Sequence, residues 1–204
     1  IKGFAEMILM GNLDKEKIQK SCEIILKQTN RLSNLIKNII NYSLLESDNL
    51  PNYSVCISSV LVDILHNFEA VFPEKNLKVT TIIEDNLFIL SRTEKIFEII
   101  TNILTNAIKY NKINGEIEIN LKKDNDKVIL KIKDTGCGIK QSDLDKIFDR
   151  FYTIDKSHNE HSTGFGLGLA IVKKIINQSG WKISVDSEYE KYTIFTVEFS
   201  PIIE

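Results

Sequence analysis

Asn102, Asn106 and Lys109 stand at i, i+4 and i+7 near the middle of the chain. On a helix that spacing puts two carboxamides and an ammonium on one face. Ile99, Ile103, Leu104 and Ile108 then form the opposite, core-facing side. Asparagine is a poor helix-interior residue, so two on one stripe call for a reason. Two readings stand side by side. In an asparagine-rich chain the stripe is a solvated face; otherwise an amide oxygen ligates a hard cation while Lys109 meets phosphate.

A second group is Asp134-Thr135-Gly136-Cys137-Gly138-Ile139, at the end of an alternating strand pattern. It sets a carboxylate beside a tight backbone turn, a common arrangement in α+β domains. That carboxylate can accept hydrogen bonds from an exocyclic amine such as that of adenine. The third group, Gly164-Phe165-Gly166-Leu167-Gly168-Leu169, opens an apolar helix. Glycines at a helix N-terminus let backbone N–H groups approach an anion, and the helix dipole favours that charge. No strand leads into it, which disfavours a dinucleotide-binding βαβ turn; a flexible loop joining a helix is the plain alternative. Between these groups, Arg150 to Thr163 is polar and aperiodic, and its length is that of a lid. His158 and His161 in it form an H-x-x-H with no further ligands nearby, the pattern of a solvated loop more than of a zinc site. His66 falls on a predicted helix as a surface or packing residue.

Positioning these groups takes a folded domain, and the composition allows one. The 204 residues are 43% hydrophobic and 26% charged, with a net charge of -2. A packed core is within reach, and the near-neutral charge leaves no electrostatic footprint for nucleic acid. Cys22, Cys56 and Cys137 are odd in number and widely spaced, which suits a reducing compartment better than a disulfide framework. No apolar run reaches the length of a membrane span.

Residues 1–47 read as helical, broken by a turn at Gly11-Asn12-Leu13-Asp14, with Asp14 as a partial N-cap. Ile18, Ile25, Leu32 and Ile39 then recur every seventh residue, with Cys22, Leu35, Ile36 and Tyr42 at the intervening offsets. This is the pattern of a helix that packs on other helices. Lys27, Arg31, Asn34, Lys37, Asn38 and Asn41 form its polar remainder. A polar, proline-containing stretch around Glu46–Asn52 marks a boundary, and residues 53–204 form the second unit. There the periodicities predict helices at Ser58–Phe72, Thr93–Tyr110, Ser142–Phe148 and Phe165–Gln178. Strands are expected at Lys78–Ile83, Leu87–Leu90, Glu116–Lys122, Lys127–Lys133, Lys182–Ser187 and Tyr192–Phe199. The expected fold is α+β, a mixed sheet covered on one face by helices and preceded by a helical hairpin.

Asn106-Ala107-Ile108-Lys109-Tyr110, Asp134–Ile139, Phe148-Asp149-Arg150-Phe151-Tyr152 and Gly164–Leu169 come in an order that resembles the N, G1, F and G2 boxes of bacterial sensor histidine kinases. The resemblance covers the whole chain: Ile1–Met10 is similar to the sequence just after the phosphoacceptor box, and Arg31–Leu50 to the second dimerisation helix. It implies the Bergerat ATP-binding α/β sandwich shared with gyrase, Hsp90 and mismatch-repair ATPases. By position it implies Asn106 as the Mg²⁺ ligand, with Asn102, Lys109 and Tyr110 on the phosphate and ribose side. Asp134 becomes the acceptor of the adenine amine, Gly136, Gly138 and Ile139 part of the base pocket, and Thr193 a hydroxyl that helps read adenine. Arg150, Tyr152, Gly164, Gly166, Leu167, Gly168 and Leu169 complete the ATP-contacting set around the lid. The implied partners are ATP, a response-regulator receiver domain and a second copy joined through the hairpin, in the cytoplasmic part of a membrane-anchored sensor.

In ATP-hydrolysing relatives and in related serine kinases, a glutamate acts as general base four residues before the metal-binding asparagine. Here that position is Asn102. Water and serine need a proton removed, whereas neutral imidazole already offers a lone pair, so Asn102 favours transfer to histidine. The rivals are a Bergerat-fold ATPase or serine kinase, and a nucleotide-dead dimerisation scaffold. The chain departs from the family at Ser179-Gly180-Trp181, where His-Gly-Gly is usual, and at Tyr189, Glu190 and Tyr192, where glycines and a proline are. None of His66, His158 and His161 has the phosphoacceptor context, which the resemblance places about nine residues before Ile1.

Overall fold

The computed structural model describes residues 1–11, 13–44, 50–154 and 165–200. A short helix α1 (Lys2–Leu9) and a long helix α2 (Lys15–Leu44) come first. The Asp14 carboxylate accepts the Lys17 N–H at 2.9 Å, the side-chain cap expected at that turn. On α2, Leu26, Leu32, Ile36, Ile39 and Ile40 lie exposed. The heptad thus presents an apolar seam.

The rest of the described chain runs β1 (Tyr53–Cys56), α3 (Ile57–Phe68), a 3-10 turn (Phe72–Lys75), β2 (Lys78–Ile83), β3 (Phe88–Ser91), α4 (Thr93–Lys109), β4 (Glu116–Asp124), β5 (Lys127–Asp134), α5 (Gly168–Gln178), β6 (Lys182–Glu188) and β7 (Tyr192–Phe199). Five strands form one sheet in the order β2-β4-β5-β7-β6. Only β2–β4 is parallel, and the other neighbours are antiparallel. β1 and β3 pair separately as a small antiparallel ribbon.

The sheet is one-sided. Ile117, Ile119 and Leu121 of β4, Val128, Leu130 and Ile132 of β5, and Phe195, Val197 and Phe199 of β7 point into the core, while Glu118, Lys122 and Lys131 alternate outward. The inward face meets α4 through Ile96, Ile99, Ile103 and Leu104, and α5 through Ile171, Val172 and Ile175. Trp181 closes the edge against Phe199, ring centroids 4.9 Å apart and nearly perpendicular, the favoured edge-to-face geometry. Asparagines take the left-handed turns at positions 76, 86, 114 and 125, where they cost least after glycine.

The mixed sheet, the helical cover and most elements match the expectations, and four details differ. β1 was not anticipated, because four residues with a single buried side chain, Val55, carry too little alternation to read. α3 stops at Phe68, and Phe72 belongs to the following 3-10 turn. Ser142–Phe148 is a run of turns, with i+3 bonds from Asp143 to Lys140, Lys146 to Asp143 and Asp149 to Lys146. α5 begins at Gly168, since Gly166 has φ of 68° and cannot lie within a right-handed helix.

Candidate functional site

α4, the ends of β5 and β7, and the start of α5 converge on a cavity of about 720 Å³, walled on its remaining side by α2. Such a volume is ordinary for a site that engulfs a small organic ligand. On α4, burial of the isoleucine face turns Asn102, Asn106 and Lys109 toward the cavity. The Asn102 amide donates to the Glu98 carbonyl at 2.8 Å and to the Glu98 carboxylate at 3.2 Å. That fixes the carboxamide and turns its oxygen toward α5. A Cβ on Gly168 would come within 2.5 Å of that oxygen, so any larger residue at the start of α5 would have to displace the Asn102 amide. One turn on, the Asn106 carboxamide makes no hydrogen bond among the described residues, which leaves its oxygen able to ligate a cation. Lys109 Nζ donates to the Tyr110 hydroxyl at 3.0 Å and lies over that ring.

The far end of the cavity is built by Asp134 and Thr193, register partners on β5 and β7. Asp134 is 5% exposed. The Gly136 N–H donates to its Oδ1 at 2.9 Å, as the aspartate-to-glycine turn requires. Burial nevertheless pushes its pKa up to about 6, outweighing that stabilising bond. Opposite, the Ser187 hydroxyl donates to the Tyr192 carbonyl at 2.7 Å and accepts the Ile139 N–H at 2.9 Å. Its single proton is thereby spent, so in the 3.1 Å contact between them Thr193 donates to Ser187 and keeps its own oxygen as an acceptor. Gly138 has φ of 61°, and a Cβ there would strike the Glu188 carbonyl at 2.1 Å. Glycine alone lets this loop fold beneath the β6–β7 turn.

Lys75 and Asn111 join the two ends. Lys75 Nζ donates to the carbonyls of Ile108 at 3.0 Å, Lys109 at 2.6 Å and Asn111 at 3.0 Å, an ammonium set on the negative end of α4. The Tyr110 carbonyl accepts the Cys137 N–H at 3.0 Å. Buried Asn111 donates to the Glu116 carbonyl at 3.0 Å, and its oxygen lies 3.4 Å from the Thr135 hydroxyl. The α4 terminus and the Asp134 loop are thus one hydrogen-bonded unit.

Of the residues singled out in the sequence, Asn102, Asn106, Lys109, Tyr110, Asp134, Gly138, Ile139, Tyr152, Gly166, Leu167, Gly168, Leu169 and Thr193 line this cavity. Gly136 packs behind it, against the Tyr110 carbonyl. Arg150 lies elsewhere, its guanidinium 4.4 Å over the Tyr42 ring of α2. Gly164, His158 and His161 fall outside the described residues. At the near side of that segment, the Phe151 N–H donates to the Gly166 carbonyl at 2.9 Å. Sequence reading missed Ser187, Lys75 and the α2 wall of Lys27, Arg31, Asn34 and Lys37. The one available signal for the wall was a polar stripe on a helix whose other side already carried a heptad seam.

A carboxylate that can take an amine, an acceptor hydroxyl beside it, and amides with cations at the opposite end define a site for a ligand with a basic ring at one end and charge at the other. Comparison with known proteins agrees. Residues 91–202 match the family model of histidine kinase-, DNA gyrase B- and HSP90-like ATPases. Over 191 residues the chain is 30% identical to the signal transduction histidine-protein kinase ArlS of Staphylococcus aureus, covering 93% of this chain and 42% of that protein. The Acinetobacter baumannii histidine kinase AdeS superposes with a TM-score of 0.75 at 25% identity, over 99% of this chain and 93% of that one. Histidine kinase ThkA, solved in complex with the response regulator protein TrrA, shares the fold, with a TM-score of 0.77 at 24% identity over 98% of this chain and 56% of that one. The chain belongs to the family of histidine kinase-, DNA gyrase B- and HSP90-like ATPases and covers the catalytic ATP-binding domain, with homology to the histidine kinases ArlS and AdeS. It spans 42% of the length of the curated relatives it matches.

Proposed function

We propose that the whole protein is a sensor histidine kinase. It moves the γ-phosphoryl of Mg-ATP to a histidine of its helical hairpin, and then to an aspartate of a receiver domain. The observation that carries this is the distribution of carboxylates. Among the described residues lining the cavity Asp134 is the one carboxylate, and it is paired with Thr193 across the β5–β7 register, while Asn102 and Asn106 lie on α4. Position 102 is an amide, and the adjacent Glu98 carboxylate is engaged by that amide. A site without a base at its phosphate end suits an acceptor that needs none, which imidazole is and water is not.

Asp134 and Thr193 would take the adenine ring. Asn102, Lys109, Tyr110 and the Gly166–Leu169 start of α5 would take the phosphates. The Asn106 oxygen would hold Mg²⁺, which relies on phosphate oxygens for much of its shell and supplies charge neutralisation. Residues 1–47 would be the hairpin and 53–204 the catalytic unit. The exposed Leu32, Ile36 and Ile39 seam favours a homodimer through α2. The receiver partner is supported by the ThkA–TrrA complex, and a cytoplasmic position below a membrane anchor by the kinship with sensor kinases.

Two measurements test this. A fluorescent ATP analogue should bind this chain with Mg²⁺ while phosphate release stays near background; steady hydrolysis would instead mark an ATPase. The full-length protein incubated with labelled ATP should gain acid-labile phosphate, whereas acid-stable phosphoserine would make it a serine kinase.

A further inference from the structure

The cavity is charged unevenly. Asp134 and Thr193 form one end, and Asn102, Asn106 and Gly168 the other. Among the described residues four cations reach its wall, and Lys109 is already tied to Tyr110. The other three, Lys27, Arg31 and Lys37, come from α2, a helix outside the matched family segment. Arg31 is set apart from the two lysines by what holds it. Its guanidinium stacks over the Phe165 ring at 5.2 Å, in the segment that leads into Gly168 and the N-terminus of α5. A planar cation resting on an aromatic face is pre-oriented and presents its N–H edge for bidentate contact with phosphate oxygens.

A second contact keeps α2 in place. Tyr42 lies about three turns further along, on the same face and roughly 16 Å away. Its ring takes the Arg150 guanidinium at 4.4 Å and Lys174 Nζ at 3.9 Å, and its carbonyl accepts from Lys174 at 2.8 Å. From this arrangement we infer that α2 lends Arg31 to the nucleotide as the reader of the γ-phosphoryl group, so that the site prefers ATP to ADP only while α2 is docked. The inference rests on the nucleotide reading above. It also couples the two events: if docking of α2 favours the triphosphate, the triphosphate favours docking by the same factor.

The test is the ratio of ATP to ADP affinity, measured on this chain in Mg²⁺ by displacement of a fluorescent nucleotide. Arg31→Ala should weaken ATP about tenfold, the worth of one charge-assisted contact, and leave ADP unchanged. Arg31→Lys, which keeps the charge and loses the stacked fork, should fall between. Tyr42 does not itself line the cavity, yet Tyr42→Ala should lower the ATP preference in the same direction. An unchanged ratio in Arg31→Ala, or an equal loss for both nucleotides, overturns the inference and leaves the nucleotide reading standing. Failure of the unsubstituted chain to bind either nucleotide removes that reading itself.

Discussion

Asp134 and Thr193 face each other in the β5–β7 register, each 5% exposed, on a surface whose other inward residues are hydrophobic. The sheet interior therefore ends in a polar pair at the mouth of the cavity. Burial raises the Asp134 pKa from 3.8 to about 6, so the ionised carboxylate burdens the empty protein. A shift of about two units corresponds to roughly 3 kcal/mol. Because the folded value lies above the unfolded one, the burden is absent below pH 3.8, grows between 3.8 and about 6, and is complete above. Asp134→Asn should raise the melting temperature at pH 7.5 by several degrees, with the gap to the unsubstituted chain closing near pH 4. Parallel melts at the two pH values check this.

The same carboxylate sets the pH dependence of binding. Its Oδ1 already accepts from Gly136, so under the proposed function the other oxygen would meet the adenine amine. Protonation puts a donor where an acceptor is needed. Affinity for adenine nucleotides should fall as pH drops through about 6, and the weak binding of Asp134→Asn should be flat over that range. Titrations of fluorescent nucleotide from pH 5 to 8 give both curves.

The Asn106 carboxamide, without a hydrogen bond among the described residues, predicts a metal-specific defect. Asn106→Ala should abolish the gain in ATP affinity that Mg²⁺ confers while leaving binding in excess chelator nearly unchanged. Equal losses with and without the metal would assign Asn106 another role.

Gly168→Ala should fold, since alanine suits a helix start, but its methyl would displace the Asn102 oxygen. An overpacking cost of about 1–3 kcal/mol falls on the packing of α5 against α4, and the displaced Asn102 amide should in addition lower triphosphate affinity. Isothermal titration beside a thermal melt separates this from global destabilisation.

Lys75 lies outside the cavity yet holds the end of α4. Lys75→Met strands the Lys109 and Asn111 carbonyls and leaves the Ile108 carbonyl with the Asn111 N–H alone, which should cost about 2 kcal/mol, a loss of roughly 4–8 °C in melting temperature. Nucleotide affinity should drop with it, because the Tyr110 carbonyl that anchors the Cys137 loop is released. Lys75→Arg should restore only part, since a planar fork cannot reach three converging acceptors as an ammonium does.

What could be read from sequence alone is what depends on neighbours within a turn or two of chain. The 3.6-residue spacing of Asn102, Asn106 and Lys109 against the isoleucine face, the alternation in β4, β5 and β7, and the four sequence boxes are local patterns. Backbone geometry and solvent translate such patterns directly into helix, strand and turn. The four-residue strand β1 and the turns of Ser142–Phe148 lay below that threshold, having one buried side chain apiece in Val55 and Ile147 to mark a face. Only the tertiary structure could set the Arg31 guanidinium on Phe165, Tyr42 between Arg150 and Lys174, and Lys75 beneath α4. These are polar side chains meeting partners far along the chain. A polar residue at a helix surface carries the same local signature whether it faces water or another element, so its role is decided when the chain folds back upon it.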